Sequence, residues 1–412
     1  MQIDNIIKRA EEALNDTFLY FDTIERFTQE RVLNAFAEHN ISQRHFAPTT
    51  GYGYDDIGRD TLDKLFASAL ECEDAIVRPH FTSGTHAIYT ALSGLLAKGD
   101  TMLSATGSPY DTLLSAIGIT GDEYSSLKKM GVSYKQVELT EDNDINIDAV
   151  LNELIADESI KVVYFQRSRG YAWRESLLPE KLETAFKAIH DTKKDVAIVI
   201  DNCYGEFTCK HEPSYYGADV LIGSLIKNPG GGMAPTGGYI AGKANLIERI
   251  SMRITVPGMG REVGSYAGSY TPFYQGLFMA PHIVNQALKT AALFAKLFES
   301  FNLETMPKSD AVRSDIVQSL KLNNEEAVIR LCKEIQKASP VDSFLVTEPW
   351  DMPGYADKVI MAAGAFIQGS SIELSADAPI KPPYIVYLQG GLTYSHGVIA
   401  AKRVLRAIKD IF

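Results

Sequence analysis

Two apolar runs of the sequence end in residues that could act as an acid and a base. The run VAIVID ends in Asp201, and the later run VLIGS ends in Ser224 and is followed by Lys227. Taken alone, such an aspartate is as often a turn cap, and such a lysine is more often solvated. Together, the two runs would place a carboxylate and an amine at the ends of two strands.

A third run is followed by small polar residues at the start of a helical pattern. In HFTSGTHAIYTAL, Ser83, Gly84 and Thr85 precede the apolar repeat. Free N–H groups at a helix start, and the positive end of the helix dipole, favour a phosphate, although an ordinary N-cap is far commoner. Pyridoxal phosphate needs such a cradle, a carboxylate for its pyridine nitrogen and a lysine for its aldehyde. The three stretches together therefore predict this cofactor.

The elements that must position these residues alternate between strands and helices. From about residue 72, short apolar runs such as KVVYFQ and VAIVID are separated by helical repeats such as LLPEKLETAFKAIHD. This alternation predicts an α/β domain with a mostly parallel sheet. Ligands of such sheets bind at the carboxyl ends of the strands, which is where the candidate residues fall.

The same patterns divide the chain into three regions. Residues 1–50 are predicted as a helical N-terminal arm, whose aromatic residues pack on the chain's own core or on a second subunit. Residues 51–290 are predicted as the large cofactor-binding α/β domain, and residues 291–412 as a smaller C-terminal α/β domain. In the last region we expect strands at FLVTE, KVIMAAGAF, SSIELS and PYIVYLQGG.

Composition excludes several classes of protein. The 412 residues include 40 Lys and Arg against 52 Asp and Glu, a net charge of −12 that argues against nucleic-acid binding. The four cysteines form no CxxC pair, which is typical of a reducing cytoplasm and not of a disulfide framework or a metal site. No apolar stretch approaches ~18 residues, so we expect no membrane span and no signal peptide.

The order of these motifs resembles that of the fold-type-I pyridoxal-phosphate enzymes, in the branch of Cys/Met metabolism. FTSGTHAI, VYFQRSRGYAWRESL, IKNPGGGMAPTGGYIAG and FIQGSSIELSADAPI look like the methionine gamma-lyase-like family, also labelled aluminium resistance protein or cystathionine beta-lyase. The resemblance runs from about Tyr52 to near the C-terminus. It implies an aspartate aminotransferase-like fold, and a homodimer or homotetramer with its sites at the dimer interface.

The resemblance also implies a role for each matching residue. Lys227 would bind the cofactor aldehyde and then remove the Cα proton of an amino-acid substrate, and Tyr110 would stack on the pyridine ring. These two would be the catalytic residues, and Asp201 would pair with the pyridine nitrogen. The implied cofactor-binding residues are Ser83, Gly84, Thr85, Tyr110, Ser168, Asp201, Ser224, Lys227 and Tyr54, with Tyr52 an equally good alternative to Tyr54.

The chain departs from the better-known lyases where those enzymes bind the substrate carboxylate. Their arm carries Tyr-x-Arg, and here Asp56 stands at the arginine position; the C-terminal stretch SSIELSADAPIKPPY also lacks an arginine. A guanidinium matches a carboxylate in geometry and charge, so other arginines are candidates. The candidate substrate ligands are Arg59, Arg169 and Arg261, with Arg167 and Arg174 as further choices.

The leading hypothesis is a lyase that eliminates a thiol from the β- or γ-carbon of a sulfur amino acid such as cystathionine, cysteine or methionine. Two alternatives stay open on the sequence alone. One is another pyridoxal-phosphate enzyme, such as an aminotransferase, aldolase or racemase. The other is a non-catalytic binding protein on the same fold, since fold does not fix function.

Overall fold

A computed structural model describes residues 3–352 and 357–412 of the chain. The helices in chain order are α1 (Ile3–Ala13), α2 (Asn15–Glu38), α3 (Ile57–Ala69), α4 (Gly84–Leu95), α5 (Asp111–Ile117), α6 (Ile147–Ala156), α7 (Pro179–Thr192), α8 (Ala244–Ser251), α9 (Thr271–Glu299), α10 (Glu325–Ala338) and α11 (Tyr394–Ile408). The strands are β1 (Asp74–Arg78), β2 (Thr101–Ser104), β3 (Ser133–Gln136), β4 (Ile160–Gln166), β5 (Ala197–Asp201), β6 (Val220–Ser224), β7 (Gly238–Gly242), β8 (Glu304–Met306), β9 (Val317–Lys321), β10 (Val359–Ala362), β11 (Ser375–Pro379) and β12 (Ile385–Gln389).

The larger sheet is mostly parallel. Its strand order is β1-β7-β6-β5-β4-β2-β3, and β7 runs antiparallel to both of its neighbours. The central strands β5 and β6 are buried along their whole length, which is typical of parallel strands covered on both faces. Parallel pairing brings the carboxyl ends of neighbouring strands to one edge, where Gln166 of β4 lies opposite Asp201 of β5.

Helices cover both faces of this sheet. Val199 and Ile222 pack on one face with residues of α4, α5 and α8. Ile200 and Leu221 point to the opposite face, where α3, α6, α7 and α9 lie. Because successive side chains of a strand alternate between faces, the unbroken apolar runs of β5 and β6 supply both cores at once.

The smaller sheet has the order β10-β11-β12-β9-β8 and is antiparallel throughout. Ala376 and Leu388 belong to the core that α10 and α11 complete. The other face carries polar side chains, with Asp377, Tyr387 and Ser319 in one cross-strand row. The strands therefore alternate between apolar and polar faces, as antiparallel sheets commonly do.

The N-terminal helices pack on the chain's own α9. Phe21 of α2 is buried, and Asp22 accepts a hydrogen bond from Asn285 Nδ2 at 2.8 Å and pairs with Lys289 Nζ at 2.6 Å. The predicted arm thus has a packing partner within the chain. The large apolar side chains that α2 leaves exposed are Leu19, Tyr20, Phe27 and Leu33.

Helix α9 is long and mostly buried. It spans Thr271–Glu299 and contacts α2, α11 and β9. It also runs across the domain boundary predicted at residue 290, and that division of the chain stays a prediction. In the ranges 3–352 and 357–412, no helix is long and apolar enough to cross a membrane.

The predicted fold class is confirmed, but two of the expected C-terminal strands are wrong. Among the described residues no strand forms at FLVTE, where Phe344 is 80% exposed. The strand expected at SSIELS begins only at its last residue, Ser375. The preceding stretch forms a loop, because the Glu373 carboxylate accepts hydrogen bonds from the backbone N–H groups of Phe366 and Ile367.

Candidate active site

Strands β5 and β6 place an acid and an amine at one edge of the large sheet. Asp201 is the last residue of β5 and is 5% exposed; Oδ1 accepts from the Cys203 N–H at 3.1 Å, and Tyr164 donates to Oδ2 at 3.4 Å. Lys227 follows the end of β6, and its N–H donates to the Ser224 carbonyl oxygen at 3.3 Å. Both strand ends lie where the sequence predicts a binding site.

The two charged groups are not neutralised by each other. Burial raises the pKa of Asp201, while the nearby Lys227 opposes that shift. Burial also opposes the charge of Lys227, yet Cys203, Tyr204 and Asp201 around it raise its pKa well above the usual value. Lys227 Nζ lies over the Tyr204 ring, so within the described part of the chain no direct ion pair joins Asp201 to Lys227.

Helix α4 begins beside the end of β6. Ser83 is its N-cap, and the Ser83 hydroxyl accepts from the His86 N–H at 3.1 Å. A β-carbon on Gly84 would lie 3.4 Å from Ser224 Cβ and from Cys203 Sγ, so the glycine lets the helix start approach the strand end. The first N–H groups of a helix lack intrahelical partners, and here they lie close to Ser224.

Tyr110 is held between α4 and β4. Its hydroxyl lies 2.9 Å from Thr85 Oγ1, and its N–H donates to Gln166 Oε1 at 3.0 Å. Burial, followed by the nearby Asp201, raises the Tyr110 pKa, so the phenol is uncharged at neutral pH. Gln166 also donates through Nε2 to the Ser168 carbonyl oxygen at 3.2 Å. These contacts join Thr85, Tyr110 and Ser168 around the same edge.

The glycines that follow Lys227 let the backbone pass close to other parts of the protein. Glycine next to a site would let the backbone pass close to a bound ring, but here the chain packs on the protein itself. A β-carbon at Gly231 would meet the carbonyl oxygen of Gly276 in α9, and one at Gly230 would meet the carbonyl oxygen of Leu225. The glycines therefore fix the segment after Lys227 against α9.

Tyr204 is a residue of this site that the sequence pattern does not identify. Lys227 Nζ lies 3.9 Å from the centroid of its ring, and its backbone has the left-handed φ of 71°. In DNCYGEF the residue with this conformation is a tyrosine and not a glycine or asparagine, so the sequence does not predict a left-handed backbone there. Gln166 was also missed, although a polar residue at a strand end is the signal that identified Asp201.

The candidate substrate arginines lie in different places. Arg169 follows β4 at the same edge as Asp201, where it donates to the Met306 carbonyl oxygen at 2.7 Å and pairs with Asp315 at 3.2 Å. Arg261 pairs with Asp74 at 2.7 Å. Asp74 and the first residue of β6 both lie opposite Gly242, so Arg261 is at the amino edge of the parallel strands.

Arg59, like Arg261, pairs with a carboxylate of the chain itself. Its guanidinium is buried, donates to the Gly53 carbonyl oxygen at 2.9 Å and pairs with Asp60 at 2.8 Å. Tyr54 is 61% exposed, and the neighbouring Tyr52 is exposed as well, with the two rings 5.7 Å apart. The structure therefore brings Arg169 to the edge with Lys227, whereas Tyr52 and Tyr54 face outward.

The residues at this edge fit pyridoxal phosphate. Ser168 Oγ is buried and has no hydrogen-bond partner in the described parts of the chain, so it can serve a ligand. Asp201 and Lys227 are not ion-paired with each other, and the start of α4 offers N–H donors next to Ser224. Phosphate donors, a carboxylate, an amine and an aromatic ring therefore meet at one edge. No group of three or more potential metal ligands occurs among residues 3–352 and 357–412.

Comparison with known proteins finds one family along almost the entire chain. The model of the methionine gamma-lyase family matches residues 3–409. The Bacillus subtilis protein YnbB is 48% identical over 376 residues, which cover 91% of this chain and 89% of that protein.

Solved structures are similar over nearly the same length. A carbon-sulfur lyase involved in aluminum resistance from Clostridium novyi NT is 51% identical, with a TM-score of 0.95 over 98% of this chain and 95% of that one. The pyridoxal-5'-phosphate dependent protein YhfS from Escherichia coli is 16% identical, with a TM-score of 0.64 over 95% of this chain and 97% of that one. At that identity the likeness to YhfS shows a shared fold alone.

Proposed function

Because the chain belongs to the methionine gamma-lyase family, we propose that it cleaves the carbon–sulfur bond of a sulfur amino acid with pyridoxal phosphate as cofactor. Family membership over residues 3–409 makes it a pyridoxal-phosphate-dependent lyase. The observation that carries the proposal further is the position of Asp201 and Lys227, an acid and an amine at one sheet edge and not paired with each other.

The cofactor would be held by residues of α4, β5 and β6 and of the segments between elements. The N–H groups of Gly84 and Thr85 and the Ser224 hydroxyl would bind the phosphate, and Asp201 would pair with the pyridine nitrogen. When bound, the cofactor supplies an electron sink for the charge left on the substrate Cα. The remaining cofactor contacts that we propose are with Ser83, Tyr110, Ser168 and, from a neighbouring subunit, Tyr54 or Tyr52.

Lys227 and Tyr110 are proposed as the catalytic pair. Lys227 Nζ would bind the cofactor aldehyde at rest and, once released as an uncharged amine, would take the proton from the substrate Cα. Tyr110 would lie against the cofactor ring, held by its contacts with Thr85 and Gln166. Elimination would break the carbon–sulfur bond and release a thiol, and one water would hydrolyse the remaining imine to a 2-oxo acid and ammonia.

The substrate α-carboxylate is proposed to bind Arg169. Support comes from its place one residue after Ser168, at the edge that carries Asp201. Its Nε has no hydrogen-bond partner among the described residues, so one donor is free for a carboxylate. Arg59 and Arg261 remain weaker candidates, because all three guanidinium nitrogens of Arg59 donate to acceptors within the chain and Arg261 lies at the amino edge of the parallel strands.

We also propose a homodimer, or a homotetramer built from dimers, in which Tyr54 or Tyr52 reaches the partner's site. Large apolar side chains that face outward on α2 and on the segment before α3 support this arrangement. Light scattering during gel filtration would report the mass, and an all-monomer result would count against it. A cytoplasmic location is proposed as well, supported by four free cysteines.

Turnover of defined substrates tests the proposed function. Purified holoenzyme is incubated with L-cystathionine, L-cysteine or L-methionine, and released thiol and 2-oxo acid are quantified together. We expect both products in equal amounts from at least one substrate, and none from Lys227→Ala. Transamination without thiol release would contradict the lyase assignment and favour an aminotransferase.

A further inference from the structure

Tyr204 has a backbone conformation that bulky residues seldom adopt. It lies three residues after Asp201, with φ of 71°, in the left-handed region that favours glycine and asparagine. Such conformations persist only when the surrounding structure holds them, and they concentrate at functional sites. Contacts from elsewhere in the chain must therefore hold Tyr204 in this conformation.

Two hydrogen bonds from separate segments hold the Tyr204 backbone. Its carbonyl oxygen accepts from Asn228 Nδ2 at 2.9 Å and from the Ile316 N–H at 3.2 Å. Asn228 is the residue after Lys227, and Ile316 comes directly before β9 of the smaller sheet. Both sheets thus contribute to fixing Tyr204 beside the candidate lysine.

The Tyr204 side chain also contacts both parts of the chain. Lys227 Nζ lies 3.9 Å from the ring centroid, within the distance at which a cation is attracted to an aromatic face. The hydroxyl of Ser371, in the loop before β11, donates to the Tyr204 hydroxyl at 3.4 Å. Other ionisable groups that influence Lys227 are Asp201, Cys203, Tyr110 and Glu206.

We propose that Tyr204 is a positioning residue whose ring face holds the Lys227 ammonium whenever that amine is not joined to the cofactor. The inference rests on the proposed function, because it is the binding of pyridoxal phosphate that would give Lys227 a joined and a released state. The ring attracts the ammonium but not the uncharged amine. Tyr204 therefore sets both the resting place of the released lysine and its affinity for a proton.

Capture of the cofactor by cofactor-free protein tests this role. Only the uncharged amine condenses with the aldehyde, releasing one water, so the rate follows the uncharged fraction of Lys227. Cofactor-free protein is mixed with pyridoxal phosphate at pH values from about 6 to 10. Growth of the visible absorbance band of the lysine-bound cofactor is followed by stopped flow.

Three variants separate the ring from the hydroxyl and from the fold. Tyr204→Phe keeps the ring and should stay within about 2-fold of wild type at every pH. Tyr204→Leu and Tyr204→Asn remove the ring and should capture the cofactor about 3- to 30-fold faster below the Lys227 pKa, with the whole pH profile displaced toward acid. Asparagine tolerates the left-handed conformation, so the second variant keeps the backbone if leucine does not fold.

The outcomes distinguish this inference from the proposed function. If wild type and variants all capture the cofactor with the same pH profile, the role of Tyr204 is wrong while the cofactor assignment stands. If wild type never develops the band, the proposed function is wrong. Equal acid displacement in Tyr204→Phe and Tyr204→Leu would also overturn the inference, because the hydroxyl and not the ring face would then be responsible.

Discussion

Both edges of the large sheet carry a buried aspartate and a lysine, which form an ion pair at the amino edge but not at the carboxyl edge. At the amino edge, Asp219 is buried and pairs with Lys243 at 2.6 Å and with His190 at 3.3 Å, and it accepts from the Ile198 N–H at 2.7 Å. At the carboxyl edge, Asp201 accepts hydrogen bonds from two neutral donors, the Cys203 N–H and the Tyr164 hydroxyl, and Lys227 lies over an aromatic ring.

The pKa shifts of the two aspartates follow this difference. Burial raises the pKa of Asp219, but His190, the Ile198 N–H and Lys243 outweigh it, so the net shift is downward. For Asp201, burial prevails and the shift is upward. The ion pair of Asp219 with Lys243 stabilises the fold, whereas Asp201 and Lys227, which do not pair with each other, stay available for a ligand.

The largest difference is expected between the two lysines. Lys227→Ala removes the amine that would bind the cofactor and accept the Cα proton, so thiol release should become undetectable and the visible band should be lost. Lys243→Ala, at the amino edge and 50% exposed, should keep both. Absorbance spectra and thiol assays on the two variants decide the comparison; a visible band in Lys227→Ala would contradict it.

The two aspartates should differ almost as strongly. Asp201→Asn removes the carboxylate proposed for the pyridine nitrogen, and kcat should fall by at least ~100-fold, the loss typical of a preorganised electrostatic contact. Asp219→Asn should leave kcat within about 2-fold of wild type, because its partners all lie at the other edge. Steady-state kinetics at saturating cofactor measures both. Equal losses in kcat would show that the two edges are not functionally distinct.

The two arginines should separate in KM. Arg169→Ala should raise KM by about 10- to 100-fold, the value of a charge-assisted hydrogen bond to a carboxylate, and Arg169→Lys should recover part of it. Arg261→Ala should not change KM, because Arg261 pairs with Asp74 at the amino edge. A raised KM in Arg261→Ala and an unchanged KM in Arg169→Ala would show that the substrate carboxylate binds Arg261 and not Arg169.

The smallest effect is on stability and depends on pH. Because the folded-state pKa of Asp219 is lowered, its charge stabilises the fold above the unfolded pKa of about 3.9, and that contribution is lost as pH falls through the folded value. Asp219→Asn should therefore lower stability by about 1–3 kcal/mol at pH 7, and the difference should shrink below pH ~4. Urea unfolding midpoints at several pH values measure it; a constant difference would refute the ion-pair explanation.

Much of this edge could be predicted from the sequence because its positions follow buried parallel strands. The runs before Asp201 and Ser224 are apolar without interruption, so the strand ends, and the residues just beyond them, are evident. The start of α4 was equally clear from Ser83 and Gly84. These signals are local, and they need only the rule that ligands bind at the carboxyl ends of parallel strands.

The remaining features depend on contacts between distant segments. The left-handed backbone of Tyr204 is held by Asn228 and Ile316, and no local signal announces it. The glycines after Lys227 contact α9, and this helix comes later in the chain than the glycines themselves. FLVTE has the composition of a strand, yet the Phe344 side chain is exposed and does not pack into the core. The sequence pattern of a segment is compatible with more than one structure, and packing against the rest of the chain determines which structure forms.

Mapping the covalent attachment of the cofactor tests the central claim most directly. Holoenzyme is reduced with borohydride, which locks the cofactor to its lysine, and is then digested with trypsin and analysed by mass spectrometry. A modified Lys227 resists cleavage, so we predict the cofactor mass on a peptide covering residues 211–243. Attachment at any other lysine, or none in protein saturated with pyridoxal phosphate, would contradict the account.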